Sequence, residues 1–186
     1  PRLPRYRDAY RTTKATGPET RSATGELALS LASRGIRSSL VRLPINHGEG
    51  DPGFLATLVG TARAKGVSAY IGDGTNRWRA VHRLDSAHLF RLALEKAPAG
   101  SALHSVADEG VPIRDIAEVI GRHLNLPVVS VSPEDAPGHV SWLADFLAAD
   151  FPASSTLTRE LLGWEPTQPR LMEDLEKGHH FREPAA

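Results

Sequence analysis

Short apolar runs alternate along this chain with longer segments whose apolar residues recur at helical spacing. That alternation limits the fold more than any other feature. Strands separated by helices of about ten residues or more build an α/β architecture around a parallel sheet. Residues 38–43, 68–71, 77–82, 103–107 and 127–131 read as strands, the first of them ended by Pro44. A helix from Thr20 carries Leu27 and Leu31 and stops near Arg34-Gly35, a last-turn cation followed by glycine. Phe54, Leu55, Leu58, Val59 and Ala62 form the apolar face of a second helix that stops near Gly66, and residues 84–96 form a third. Val111-Pro112 reads as the opening of a helix with the stripe Ile113, Ile116, Ala117, Ile120 and Leu124. Residues 140–149, 155–162 and 169–177 are further helices, while Gly72-Asp73-Gly74 and Asp108-Glu109-Gly110 read as turns. Residues 1–18 are rich in Arg, Pro and Thr without apolar period and are expected to be an irregular arm before one unit at 19–186.

Lys plus Arg and Asp plus Glu are both 22, so no net field calls for nucleic acid or an anionic membrane as partner. Zero cysteines exclude disulfides and thiolate metal sites. No run of about 18 apolar residues is present, and Pro1-Arg2-Leu3-Pro4-Arg5 lacks the apolar stretch of a signal peptide. A cytoplasmic protein is expected.

Three stretches carry a more specific signal. Arg42-Leu43-Pro44-Ile45-Asn46-His47-Gly48 ends a strand in proline and enters a glycine-rich loop. This puts side chains at the carboxyl end of a parallel strand, where open α/β folds bind ligands. The stretch from Gly72 to Asp85 runs from a glycine-rich turn through Asn76-Arg77-Trp78 to Ala80-Val81-His82 and an aspartate at a helix start. Leu161-Leu162-Gly163-Trp164-Glu165-Pro166 joins a helix stop to a large apolar ring and a proline that forbids continuation. In this order the three resemble the C-terminal part of the extended short-chain dehydrogenase/reductase family, which contains NAD-dependent epimerases and dehydratases. The resemblance covers about residues 20–181.

The resemblance implies a Rossmann-like parallel sheet, of which this chain holds the later strands only, plus a small C-terminal α/β substrate lobe. It implies NAD(P)-dependent oxidoreduction, epimerisation or dehydration of a small-molecule substrate, with NAD or NADP as cofactor. It places Pro44, Ile45 and Asn46 at the nicotinamide, and His47, Asn76, Arg77, Trp78 and His82 at the substrate. The sequence also departs from the family. His47 replaces a tyrosine. Trp78 stands where the family's diphosphate-gripping arginine belongs, and Arg77 is displaced by one residue, which reverses a side chain on an extended segment. A nucleotide-sugar substrate is therefore in doubt, and Trp78 reads as an apolar pocket wall. His82 and Asp85 also have a structural reading, an imidazole bonding backbone and a carboxylate capping a helix.

No catalytic residue is assigned. Tyr10-Arg11-Thr12-Thr13-Lys14 matches the family's Tyr-x-x-x-Lys as letters, but if Glu26 is the family's following glutamate, Ser22 and Pro18 replace Lys and Tyr. The family's glycine-rich dinucleotide turn is not in this sequence, and Gly48-Glu49-Gly50-Asp51-Pro52-Gly53, with a proline and two acids, would repel a pyrophosphate. Weak or absent cofactor binding and no activity by this chain alone are expected. The alternative is a non-catalytic binding or regulatory module with Trp78, Trp142 and Phe146 facing a partner. A sheet lacking its earlier strands leaves one edge and its apolar face uncovered, which predicts a partner or self-association into a homo-oligomer. His179-His180 has no carboxylate at helical ligand spacing, so no metal site is expected.

Overall fold

The computed structural model describes residues 19–140 and 143–182, so Tyr10, Lys14, Pro18 and Trp142 lie outside the described residues. Helix α1 (Glu19–Ser30) continues as a 3-10 turn, Leu31–Arg34, and is followed by strands β1 (Ser39–Arg42) and β2 (Ile45–His47). Then come α2 (Phe54–Lys65), β3 (Ser68–Ile71), β4 (Arg77–His82), α3 (Arg83–Lys96), β5 (Ser101–His104) and β6 (Asp108–Pro112). The described residues continue with α4 (Ile113–Leu124), β7 (Val128–Val131), α5 (Ala136–Val140), α6 (Ala144–Ala148), α7 (Thr156–Leu162), α8 (Leu171–Glu176) and a 3-10 turn, His179–Phe181. The fold is α/β with parallel strands, as the alternation predicts. β1 pairs in parallel with β5, β2 with β4 and β3 with β7, while β6 pairs antiparallel to β4.

Two apolar cores hold these elements. One gathers Leu55, Ile71, Trp78, Ile113, Ile116 and Leu171 between α2, α4, α8 and the strands β2 to β4. The other packs α3 and α7 on β5 through Leu89, Leu92, Leu103, Leu162 and Trp164. β1 is half-buried along its length and pairs only with β5 among the described residues, with Leu27 and Ile36 exposed nearby.

The α4 stripe matches expectation: Ile113, Ile116, Ala117 and Ile120 are all buried. Gly121 continues that stripe because the helix lies directly on β7. A Cβ there would collide with the Val128 side chain and come within 3.1 Å of Leu126 O. Gly121→Ala is expected to cost about 1–3 kcal/mol by overpacking, read as a lower urea midpoint. An unchanged midpoint would mean that α4 and β7 are not in contact at this point.

Four local readings are corrected. Asp108-Glu109-Gly110 is part of strand β6, not a turn, because β4 offers it a partner with Ala80 opposite Asp108. Val111-Pro112 closes that strand, so the helix begins one residue later, with Pro112 as its N-cap. Ile45 to His47 form a strand where a loop was expected, since Pro44 breaks pairing with β5 and the chain then joins β4. The helix expected over residues 140–149 is two short ones, α5 and α6. The first follows a turn in which Ser132 Oγ accepts from Asp135 N–H at 3.2 Å and Ser132 O accepts from Ala136 N–H at 3.0 Å.

Candidate functional site

The strand switch at Pro44 brings two of the sequence motifs side by side. β2 lies on β4 with Asn46 opposite Val81 and His47 opposite His82, so both motifs end at the same edge of the sheet. Side chains alternate along β2. Asn46 takes one face, where its Oδ1 accepts from Ser86 Oγ at 3.0 Å, and Ser86 Oγ lies 3.0 Å from Ser105 Oγ. Ile45 and His47 are buried. The His47 and His82 rings meet edge to face at 5.4 Å. His82 accepts from Leu84 N–H at 3.3 Å as the N-cap of α3, which is its structural reading. Gly48 follows directly, and a Cβ there would stand 2.8 Å from His82 Nε2.

Asp85 does not cap α3 as the sequence suggested. Its two carboxylate oxygens accept from Thr167 and Gln168 N–H at 3.0 and 3.1 Å, and its carbonyl accepts from Trp164 Nε1–H at 3.1 Å. The Ala80–Asp85 and Leu-Gly-Trp motifs are therefore one clamp between segments far apart in sequence. Trp164 is fully buried and Asp85 nearly so. Ionised acceptors on two backbone donors make strong bonds.

Asn76, Arg77 and Trp78 sit at the other end of β4 or just before it, about 13–20 Å from His82 at the usual strand rise. All three hold the segment after α6. Asn76 Nδ2 donates to Leu147 O and Ala149 O at 2.7 and 3.1 Å, and Trp78 Nε1 donates to Ala149 O at 3.1 Å. Arg77 makes a bidentate pair with Asp150 at 3.2 and 2.9 Å. Trp78 is 1% exposed beneath Phe54 and Phe146, so its ring lies in the core and Phe146 presents the outer surface. The proposed site residues thus fall into two groups, with His47, His82 and Asn46 together and Asn76, Arg77 and Trp78 apart. A small cavity of about 20 Å³ is lined by Leu58, Ile116, Ile120, His139 and Leu147 and has room for water.

Asp174, on α8, had no mark in the sequence. Its Oδ2 accepts from His47 Nδ1 at 3.0 Å and His180 Nε2 at 2.9 Å, and those nitrogens must carry the protons because an ionised carboxylate only accepts. Burial lowers the His47 pKa against the opposing pull of Asp174, and burial likewise lowers His82. Burial alone would raise the Asp174 carboxyl, but the hydrogen bonds from His180 and His47 and the adjoining positive charge outweigh it and hold it below its ordinary value. At the end of β2, burial therefore disfavours the charged form of both imidazoles, while hydrogen bonds favour the ionised form of the Asp174 carboxyl.

The residues present do not fit a dinucleotide pyrophosphate. The N-terminus of α2 follows the glycine-rich loop, but Asp51 Oδ2 already accepts from Gly53 N–H there at 3.2 Å. A second anion would meet that carboxylate.

A scan of protein-family models finds no match to the chain. An uncharacterized protein of Schizosaccharomyces pombe is 53% identical over 154 residues, which are 82% of this chain and 52% of that protein. An uncharacterized protein of Saccharomyces cerevisiae is 48% identical over 156 residues, 83% of this chain and 52% of that protein. The chain spans about half the length of the curated relatives it matches. Among solved structures, a dTDP-glucose 4,6-dehydratase from Bacillus anthracis in complex with NAD superposes with a TM-score of 0.69 at 16% identity, over 91% of this chain and 52% of that one. A dTDP-glucose 4,6-dehydratase from Streptomyces venezuelae with NAD bound gives 0.65 at 20% identity, over 86% and 48%. A UDP-glucuronic acid 4-epimerase from Bacillus cereus, in complex with UDP-glucuronic acid and NAD, gives 0.61 at 17%, over 86% and 50%. At such identities the likeness establishes the fold, a Rossmann-like fragment of the dehydratase/epimerase architecture. No described helix is long and apolar enough to cross a membrane.

Proposed function

We propose that the chain is the substrate-side portion of an NAD(P)-dependent oxidoreductase or epimerase-like protein, and that it is inactive without a dinucleotide cradle supplied by other residues. The observation that carries this reading is the register of β2 on β4, which puts Asn46, His47 and His82 at the carboxyl ends of adjacent parallel strands, where such folds bind ligands. Among the described residues β1 pairs with β5 alone, and Leu27 and Ile36 are exposed nearby, which supports the idea that further strands pack there.

On this reading Asn46, oriented by Ser86, faces the nicotinamide beside Pro44, while Ile45, on the opposite face of β2, backs them from the core. His47 and His82 shape the substrate side from beneath. Asn76, Arg77 and Trp78 shape it through the segment they fix, whose exposed ring is Phe146. A bound NAD(P) would supply hydride transfer. Its pyrophosphate does not fit the residues present, where Asp51 already occupies the N-terminus of α2.

A second reading is a non-catalytic binding or regulatory module. It draws on the complete burial of His47 against Asp174, which leaves that side chain no direct route to a substrate. One titration separates the two readings. Calorimetry of the chain with NAD(H) and NADP(H) is expected to show no micromolar binding. Micromolar affinity would overturn the first reading and favour a self-sufficient binding module.

A further inference from the structure

We propose that Asp174, His179 and His180 form a binding site for a divalent transition-metal ion, zinc above all, with His47 as the residue that orients the carboxylate. The ligand atoms of these three residues lie within 4.8 Å of one another. His180 Nε2 and His179 Nε2 stand 2.9 and 3.5 Å from Asp174 Oδ2. Four-coordinate zinc with bonds near 2.0–2.1 Å spaces its ligand atoms about 3.3 Å apart, and the two separations bracket that figure.

A second observation points the same way. The His179 side chain is only 8% exposed, yet among the described residues its Nε2 has no hydrogen-bond partner, and it lies 3.5 Å from the Asp174 carboxylate. A buried polar atom left unsatisfied costs free energy, and a cation between the two would satisfy it. Metal binding requires neutral imidazole and carboxylate ligands, so the ion would displace the proton that His180 Nε2 donates to Asp174, which passes to solvent or to Nδ1 of the same ring. Two imidazoles and one carboxylate favour zinc and its neighbours over magnesium or calcium.

The scaffold is already in place. Phe181 stacks on His123 with ring centroids 4.4 Å apart, and Arg63 Nη2 donates to Phe181 O at 2.6 Å. These contacts fix the 3-10 turn that carries both histidines. Gly178, at φ 78°, provides the reversal that folds the turn back onto α8. His47 donates to the carboxylate at 3.0 Å from the facing strand, the outer-layer contact that metal-ligating carboxylates commonly receive. The ion would staple β2, α8 and the C-terminal turn together, which is a structural role and independent of the dinucleotide reading.

The test is calorimetry of the chelator-treated chain with zinc sulfate. One equivalent per chain is expected at micromolar affinity or tighter. His179→Ala should weaken it at least about tenfold, while His88→Ala, at an exposed histidine on α3, should leave it unchanged. Circular dichroism checks that both variants are folded. Cobalt(II) provides the second measurement, with visible bands of four-coordinate geometry expected in the unaltered chain and absent in His179→Ala. Absence of binding, equal affinity in His179→Ala, or equal loss in His88→Ala would overturn the proposal.

Discussion

Trp164→Ala is expected to lower stability by about 3–5 kcal/mol, the range for removing a large aromatic side chain from a core. Trp164 is 0% exposed and anchors the second core with Leu89, Leu103 and Leu162. The substitution also leaves the Asp85 carbonyl without its donor. Its effect should spread, because Asp85 holds Thr167 and Gln168 at the approach to α8, which supplies Asp174. Domains of this size are stable by about 5–15 kcal/mol, so the variant should lose a large share of its margin. Trp164→Phe keeps most of the apolar area but not the N–H and should cost much less, about 1–2 kcal/mol. Denaturant unfolding of the three proteins measures both. A loss below about 1 kcal/mol for the alanine variant would show that the clamp does not hold the fold.

The second large effect is with pH. His104 closes β5, where its Nδ1 donates to Ser154 O at 3.2 Å. Burial, followed by the neighbouring Arg42 charge, lowers its pKa from 6.5 to about 4. The folded value lies below the unfolded one, so the unfolded chain binds the proton first. The stabilisation is fully present above pH 6.5 and is lost as pH falls towards about 4. A shift of this size corresponds to about 3 kcal/mol over that window. Unfolding midpoints at pH 7 and near pH 4.5 should therefore fall more steeply in the unaltered chain than in His104→Asn. The other lowered histidines act equally in both proteins, so the difference isolates His104. Parallel pH profiles for the two would refute the assignment.

The sequence disclosed most of the elements because they obey local rules. Ser68–Ile71 and Arg77–His82 are strands with the expected bounds. Gly163 ends α7 in the left-handed conformation expected of a terminal glycine. Asp108–Pro112 was hidden because its residues have turn chemistry and become a strand only by pairing with β4. Asp85 looked like a helix cap because caps are local, yet its partners Thr167 and Gln168 lie 82 and 83 residues away.

The candidate site was legible to a smaller degree. Pro44 announced the end of β1 and the motif order announced the family resemblance, but which side chains meet was not written in either. His47 finds its partner Asp174 across 127 residues. His179 and His180 lay at the wrong spacing for one helix and reach the same carboxylate only through the reversal at Gly178. Asn76, Arg77 and Trp78 seemed to join His82 in one site, but an extended strand separates its two ends in space. By itself, the sequence determined periodicity, helix stops and therefore the α/β class, because these depend on neighbours a few residues apart. Only the tertiary structure decided the pairing of β6, the Asp85–Trp164 clamp and the histidines around Asp174, because each is a contact between distant segments that packing alone brings together.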